Sequence, residues 1–266
     1  MKIQTLNHLA FVSTLFFGLL CGLLVQAEQP VALSPAQLQR IGQRIWQNEC
    51  GGTEAGLTSW NTGESFASLG IGHFIWYPAK QEGPFEESFP PLVAYLQQCR
   101  APVPEWLQQT RDCPWNSRAA FQADAKSSRQ VQLRQLLMST VPQQTAFIID
   151  RLQRTAPLLL KAGGKTAGKQ YQLLSQTPEG MFAMIDYINF KGDGLKSSER
   201  YKGQGWGLAQ VLGSMSATSS ANAPAAFAEA AQAVLSRRVK NSPAERKEQR
   251  WLEGWHNRCN RYKSKL

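Results

Sequence analysis

The chain has 266 residues, 42% of them apolar, and carries 29 Lys and Arg against 19 Asp and Glu, a formal charge of +10. That sign suits an anionic partner such as a cell-wall polymer or a membrane surface; nucleic acid would fit by charge alone, and the export signal described next argues against it. Lys2 followed by the apolar run Leu9 to Val25 and the small-residue pattern Val25-Gln-Ala27 reads as a signal peptide cut after Ala27, which places the mature chain in the periplasm or outside the cell. The run is short for a membrane span, and Cys21 lacks the small residue that a lipidated cysteine needs directly before it. Cleavage removes Lys2 and no acid, so the charge falls from +10 to +9. Cys50, Cys99, Cys113 and Cys259 remain, and in an oxidising compartment four cysteines permit three disulfide pairings.

Glu28 to Leu33 reads as a leader. Ser34-Pro35 then starts a helix over about 36–49, with Ser as cap and Pro in the first turn. Leu38, Ile41 and Ile45 form its apolar face, and the spacing puts Glu49 on that face at the helix end. Burial disfavours the charged form of a carboxyl group, so an acid at such a place is a candidate proton donor; an ordinary surface Glu is the plain alternative. Gly51 and Gly52 stop the helix. From Thr58 to Tyr77, turn formers alternate with apolar residues, and Leu69-Gly-Ile-Gly-His73-Phe-Ile-Trp-Tyr77 reads as strand with glycines where backbone or ligand must come close.

Residues 78–91 read as irregular. Short helices follow near 92–98 and from Pro104, a turn at Cys113-Pro-Trp115 that Cys99 could close, a helix over 118–138, and one from Pro142 to the glycines at 163–164. Thr177-Pro-Glu179 starts a further helix with Met181, Ile185 and Ile188 on one face. Residues 193–205 are polar and turn-rich. Helices at 206–212, at 225–239 and from Ser242-Pro243 onward complete the chain, the last with Trp251, Trp255, Cys259 and Tyr262 as its buried face. The expected class is α+β, mainly α, with a small antiparallel sheet near 58–77.

Helix, acid, glycine stop and hairpin, ending in Ser68-Leu-Gly-Ile-Gly-His73, resembles the phage-type lysozymes (endolysins) of the lysozyme-like superfamily. Met184-Ile-Asp-Tyr-Ile-Asn-Phe-Lys-Gly192 and Arg237 to Arg246 with Trp251 are similar to that family's closing segments. The likeness covers about 34–77 and 177–262 and leaves 80–176 as an inserted helical segment within one domain spanning 28–266. It implies a two-lobed fold with a cleft and an exported, monomeric glycosidase that cleaves peptidoglycan, without metal or organic cofactor and without stable membrane insertion after signal cleavage. His73 and His256 are the mature chain's histidines, with no ligand spacing around either.

By that likeness Glu49 is the catalytic acid. The family's second carboxylate, an Asp, has no counterpart between Glu49 and His73, and Glu64 in its Thr-Gly-Glu turn is the replacement expected here. Ser68 takes the place of a water-holding hydroxyl, and His73 orients the site. Trp60, Trp76, Tyr77 and Trp206 are candidates for stacking on sugar rings, with core packing as the alternative for each. Two competing readings stay open. The missing Asp allows an inactive cell-wall-binding protein, and Gly203 to Val211 looks like a block of lytic transglycosylases that would use Glu199 as a single acid.

Overall fold

Ser34 and Gln37 build the first helix's start: the Gln37 amide donates to Ser34 Oγ at 3.3 Å and the Ser34 amide donates to Gln37 Oε1 at 2.8 Å. This computed structural model describes residues 32–266 other than 82, 84 and 198, so the expected signal peptide lies outside the described residues. Helix α1 (Pro35–Cys50) buries Ile41 and Ile45 and ends on Gly51, as the sequence pattern predicts. A three-stranded antiparallel sheet follows, β1 (Thr58–Ser59), β2 (Ala67–Leu69) and β3 (Phe74–Trp76), in the order β1-β2-β3, with Leu69 opposite Phe74 and Ala67 opposite Trp76.

The rest is helical: α2 (Phe89–Gln98), α3 (Glu105–Gln108), α4 (Arg118–Ala123), α5 (Ser128–Ser139), α6 (Val141–Gly163), α7 (Ala167–Ser175) and α8 (Pro178–Lys191). A small hairpin, β4 (Arg200–Tyr201) and β5 (Gln204–Gly205), precedes α9 (Leu208–Ser214), α10 (Ala223–Asn241) and α11 (Gln249–Asn260). The architecture is therefore mainly helical with a small antiparallel sheet. No described helix is long and apolar enough to cross a membrane.

The helix expected over 118–138 is two helices. Ser127 caps the second, its Oγ accepting from the Gln130 amide at 3.2 Å, while Asp124 holds the indole of Trp115 at 2.8 Å; these polar groups break the run. Helix α7 and the β4–β5 hairpin were not expected. The hairpin turns on Lys202 and Gly203, both with positive φ (50° and 75°), a two-residue connection that suits the twist of paired strands. Helix α11 begins at Gln249 rather than Ser242, after a single tight turn, Ala244–Arg246. Cys259 and Tyr262 are fully buried as expected, but Trp251 is 43% exposed.

The segment read as an insertion supplies the longest helix. Helix α6 packs against α1, α2, α7, α8 and α9. Helix α8 is buried on all sides from Gly180 to Tyr187, so it runs through the interior rather than along a surface. None of the four cysteines lies at disulfide distance from another in this structure; Cys99 is at the surface, and Cys113 and Cys259 are buried.

Candidate active site

The glycines of Ser68-Leu-Gly-Ile-Gly-His73 are explained by what touches them. Gly70 has φ +69°, and a Cβ there would stand 2.4 Å from Oε1 of Gln144, which accepts a hydrogen bond from the Ile71 amide at 3.0 Å. Gln144 is itself fully buried on α6 and donates to the Leu137 carbonyl at 2.6 Å, so the sheet's turn is anchored on the central helix. At Gly72 a Cβ would come within 3.2 Å of both Asn189 Nδ2 and Ile148 Cδ1. His73 closes the turn with φ +49°, a conformation that non-glycine residues adopt sparingly.

That turn delivers His73 to the end of α1. His73 Nδ1 lies 3.8 Å from Glu49 Oε2, and the other oxygen of Glu49 accepts from Arg258 Nη2. The Arg258 guanidinium forks onto Asp186 of α8, with Nε to Oδ2 and Nη2 to Oδ1 both at 2.8 Å. Asp186 is fully buried and satisfied further by Tyr262 Oη at 2.7 Å and Asn48 Nδ2 at 2.9 Å. Burial works against the Arg258 cation, but Asp186 and Glu49 outweigh it and hold the guanidinium above its ordinary value. Glu49 thus sits on the apolar face of α1 as predicted, with polar partners in place of the apolar pocket: α1, α8 and α11 meet at its carboxylate.

In front of this group lies a cavity of about 450 Å³ lined by His73, Phe74, Asn189, Lys191, Glu199 and Arg238, among others. Glu49 does not line this cavity and reaches it only through its contact with His73. Asn189 Nδ2 reaches across to the Gly72 carbonyl at 3.4 Å. Lys191 rests its Nζ 3.4 Å from the ring centre of Trp255 and 4.0 Å from that of Phe190. Burial, then the charges of Arg238 and Arg258, push its amine down to about 6. Arg238 is neutralised by Glu248, which takes two hydrogen bonds from it at 2.8 Å. Glu199 Oε2 is buried without a hydrogen-bond partner among the described residues, and burial raises its carboxyl above the ordinary value. A larger recess of about 610 Å³ beside β1 takes in Trp60, Phe121 and Arg134 with Glu54 as its acid, but lacks an imidazole–carboxylate pair.

The other expected site residues fall elsewhere. Glu64 and Ser68 meet each other, Ser68 Oγ donating to Glu64 Oε2 at 3.3 Å, and Asn61 Nδ2 donates to the same oxygen at 3.1 Å. Ser68 is 3% exposed on the central strand, and the pair does not line the His73 cavity. The aromatic candidates take the alternative of core packing. Trp76 is 1% exposed, against Phe89 and Trp115. Tyr77 packs on Phe66, and Trp206 is enclosed by Tyr201 and the Arg238 guanidinium. Trp60 packs on Phe121 at the edge of the recess beside β1. None of the four presents a ring to the His73 cavity.

Asp186, Arg258 and Gln144 were missed by the sequence reading. Asp186 carried a usable signal, a carboxylate inside the apolar stretch Met184-Ile-Asp-Tyr-Ile188; Arg258, 209 residues from Glu49, carried none. Comparison with family models, with curated proteins and with solved structures finds no match to this chain.

Proposed function

We propose that the protein is an exported glycosidase with a lysozyme-like, two-lobed architecture that cleaves the glycan of peptidoglycan, with Glu49 as general acid and the cavity at His73 as its sugar site. The observation that carries this reading is the placement of Glu49: it closes the first helix, against the turn of the small sheet, in contact with His73, which lines a cavity of about 450 Å³. A glycosidic oxygen needs a proton as its bond breaks, and a positioned carboxylic acid supplies it, here by way of His73.

The charge arrangement is compatible with that task. Two carboxylates, Asp186 and Glu49, share the one guanidinium of Arg258. Asp186 holds the guanidinium through two hydrogen bonds and Glu49 through one, so Arg258 keeps a buried counter-ion whichever way Glu49 is used in turnover. The mature chain's net charge of +9, +10 less Lys2, favours approach to an anionic wall polymer, and the N-terminal signal pattern supports export. The test is digestion of purified peptidoglycan with the mature protein, followed by mass analysis of the fragments. Reducing ends are expected; a protein that releases no fragment where a control muramidase does so would refute the proposal.

A further inference from the structure

We infer that Glu199 is the second carboxylate of this reaction, the base that takes a proton from the attacking water; the assignment rests on the glycosidase reading above. Three acids line the cavity, and two are occupied. Glu86 is 75% exposed and paired with Arg151 at 2.9 Å, and Asp193 Oδ1 accepts from the Leu195 amide at 2.8 Å within its own turn. Glu199 is different: one of its oxygens is buried with no donor among the described residues. A buried polar atom without a partner is costly, and sites that await a water or a substrate are where proteins tolerate one.

The backbone makes room for it. Gly192, with φ +83° at the end of α8, has no Cβ, and one placed there would sit 3.2 Å from Glu199 Oε2. Glu64, the acid that the sequence suggests for this role, is held by Asn61 and Ser68 away from the cavity. The charges that act on Glu199 are Lys196 and Asp193 on its own loop and Arg238 on α10; Lys191 and His73 line the same cavity. Burial outweighs the cations there and raises the carboxyl, which makes its anion a stronger base than an ordinary glutamate.

The step balances without a further reactant. The water oxygen bonds to the anomeric carbon as the bond from that carbon to the leaving oxygen breaks. One water proton passes to the Glu199 carboxylate, the leaving oxygen takes a proton from the His73 imidazole, which Glu49 replaces at Nδ1, and exchange with solvent restores the starting protonation.

The experiment compares wild type, Glu199→Gln, Glu199→Asp and Glu199→Ala on purified peptidoglycan, with kcat and KM from reducing-end release and folding checked by thermal melting. Glu199→Gln is expected to lower kcat by at least about a hundredfold with KM little changed, and Glu199→Asp by less. Added formate should restore part of the kcat of Glu199→Ala, a response that a purely structural role would not give. A Glu199→Gln protein with wild-type kcat overturns the assignment and leaves the glycosidase reading standing. Fragments with anhydro ends overturn it too, because no water is then attacked. A wild-type protein that releases no fragments removes both.

Discussion

His73 Nδ1 and Glu49 Oε2 face each other at 3.8 Å across the junction of the sheet's turn with the end of α1. The two side chains come from segments that fold by different local rules, one a helix closed by Gly51 and one a four-residue turn, and they meet because Gln144 fixes the turn from α6. Replacing Glu49 with Gln keeps its size and its capacity to accept from Arg258 while removing the transferable proton. On the proposed mechanism kcat falls at least about a hundredfold with the melting temperature nearly unchanged. Reducing-end assays on wild type and Glu49→Gln decide it: near-equal rates would remove Glu49 from the chemistry.

Glu64 offers the contrasting control. Its carboxylate accepts from Asn61 and Ser68 outside the His73 cavity, and an amide oxygen can accept the same bonds. Glu64→Gln should change kcat by less than about tenfold, within the range of indirect positioning effects. A loss as large as that of Glu49→Gln would return Glu64 to the catalytic role expected from sequence.

Arg258 and Asp186 bear on stability. Asp186 is fully buried and Arg258 is 13% exposed at the side chain, so removing the guanidinium leaves a buried carboxylate without its counter-ion. Arg258→Met should cost about 3–5 kcal/mol in urea unfolding, and Asp186→Asn in the same chain should recover a large part of it. Additive losses in the double variant would mean that the two side chains do not act as a pair.

The elements that sequence placed well are those set by local chemistry: α1 by its Ser34–Gln37 cap and apolar face, the sheet by alternation and turn residues, α8 by Thr177 and Pro178. What escaped depends on contacts distant in sequence. Nothing local marks Arg258 as the partner of Glu49, or Gln144 as the residue that makes Gly70 necessary. The rings of Trp76 and Trp206 were ambiguous because burial and sugar stacking call for the same side chain, and tertiary packing settled them as core. Glu199 was noticed for a neighbouring motif, while its distinguishing property, an unpartnered oxygen, exists only in the folded chain.

Gly70→Ala tests the anchored turn. The substitution forces an L side chain into φ +69° and places a methyl 2.4 Å from Gln144 Oε1, so strain and the displaced Ile71–Gln144 bond both act against folding. A loss of about 1–3 kcal/mol is expected. Gln144→Leu in wild type should cost a similar amount by leaving the Ile71 amide unsatisfied. Unfolding midpoints equal to wild type for both would show that the turn stands without this anchor.

Lys191 gives the stability a pH dependence whose sign can be worked out. Its amine is pushed from 10.5 down to about 6, first by burial and then by Arg238 and Arg258, with Glu248 and Cys259 acting weakly the other way. Between those two values the unfolded chain binds a proton that the folded chain does not, so stability rises with pH across this window. Below it both states carry the proton and the folded state bears the full cost of a buried cation; above it the dependence vanishes. From pH 7 to pH 8 this residue contributes a gain of up to about 1.4 kcal/mol. Lys191→Met keeps an unbranched apolar stem against Phe190 and Trp255 and has nothing to titrate, so its urea midpoint should change less over the same interval and exceed that of wild type at pH 7. Parallel urea curves for the two proteins at pH 7 and pH 8, with equal increments between them, would show that Lys191 is not the titrating group.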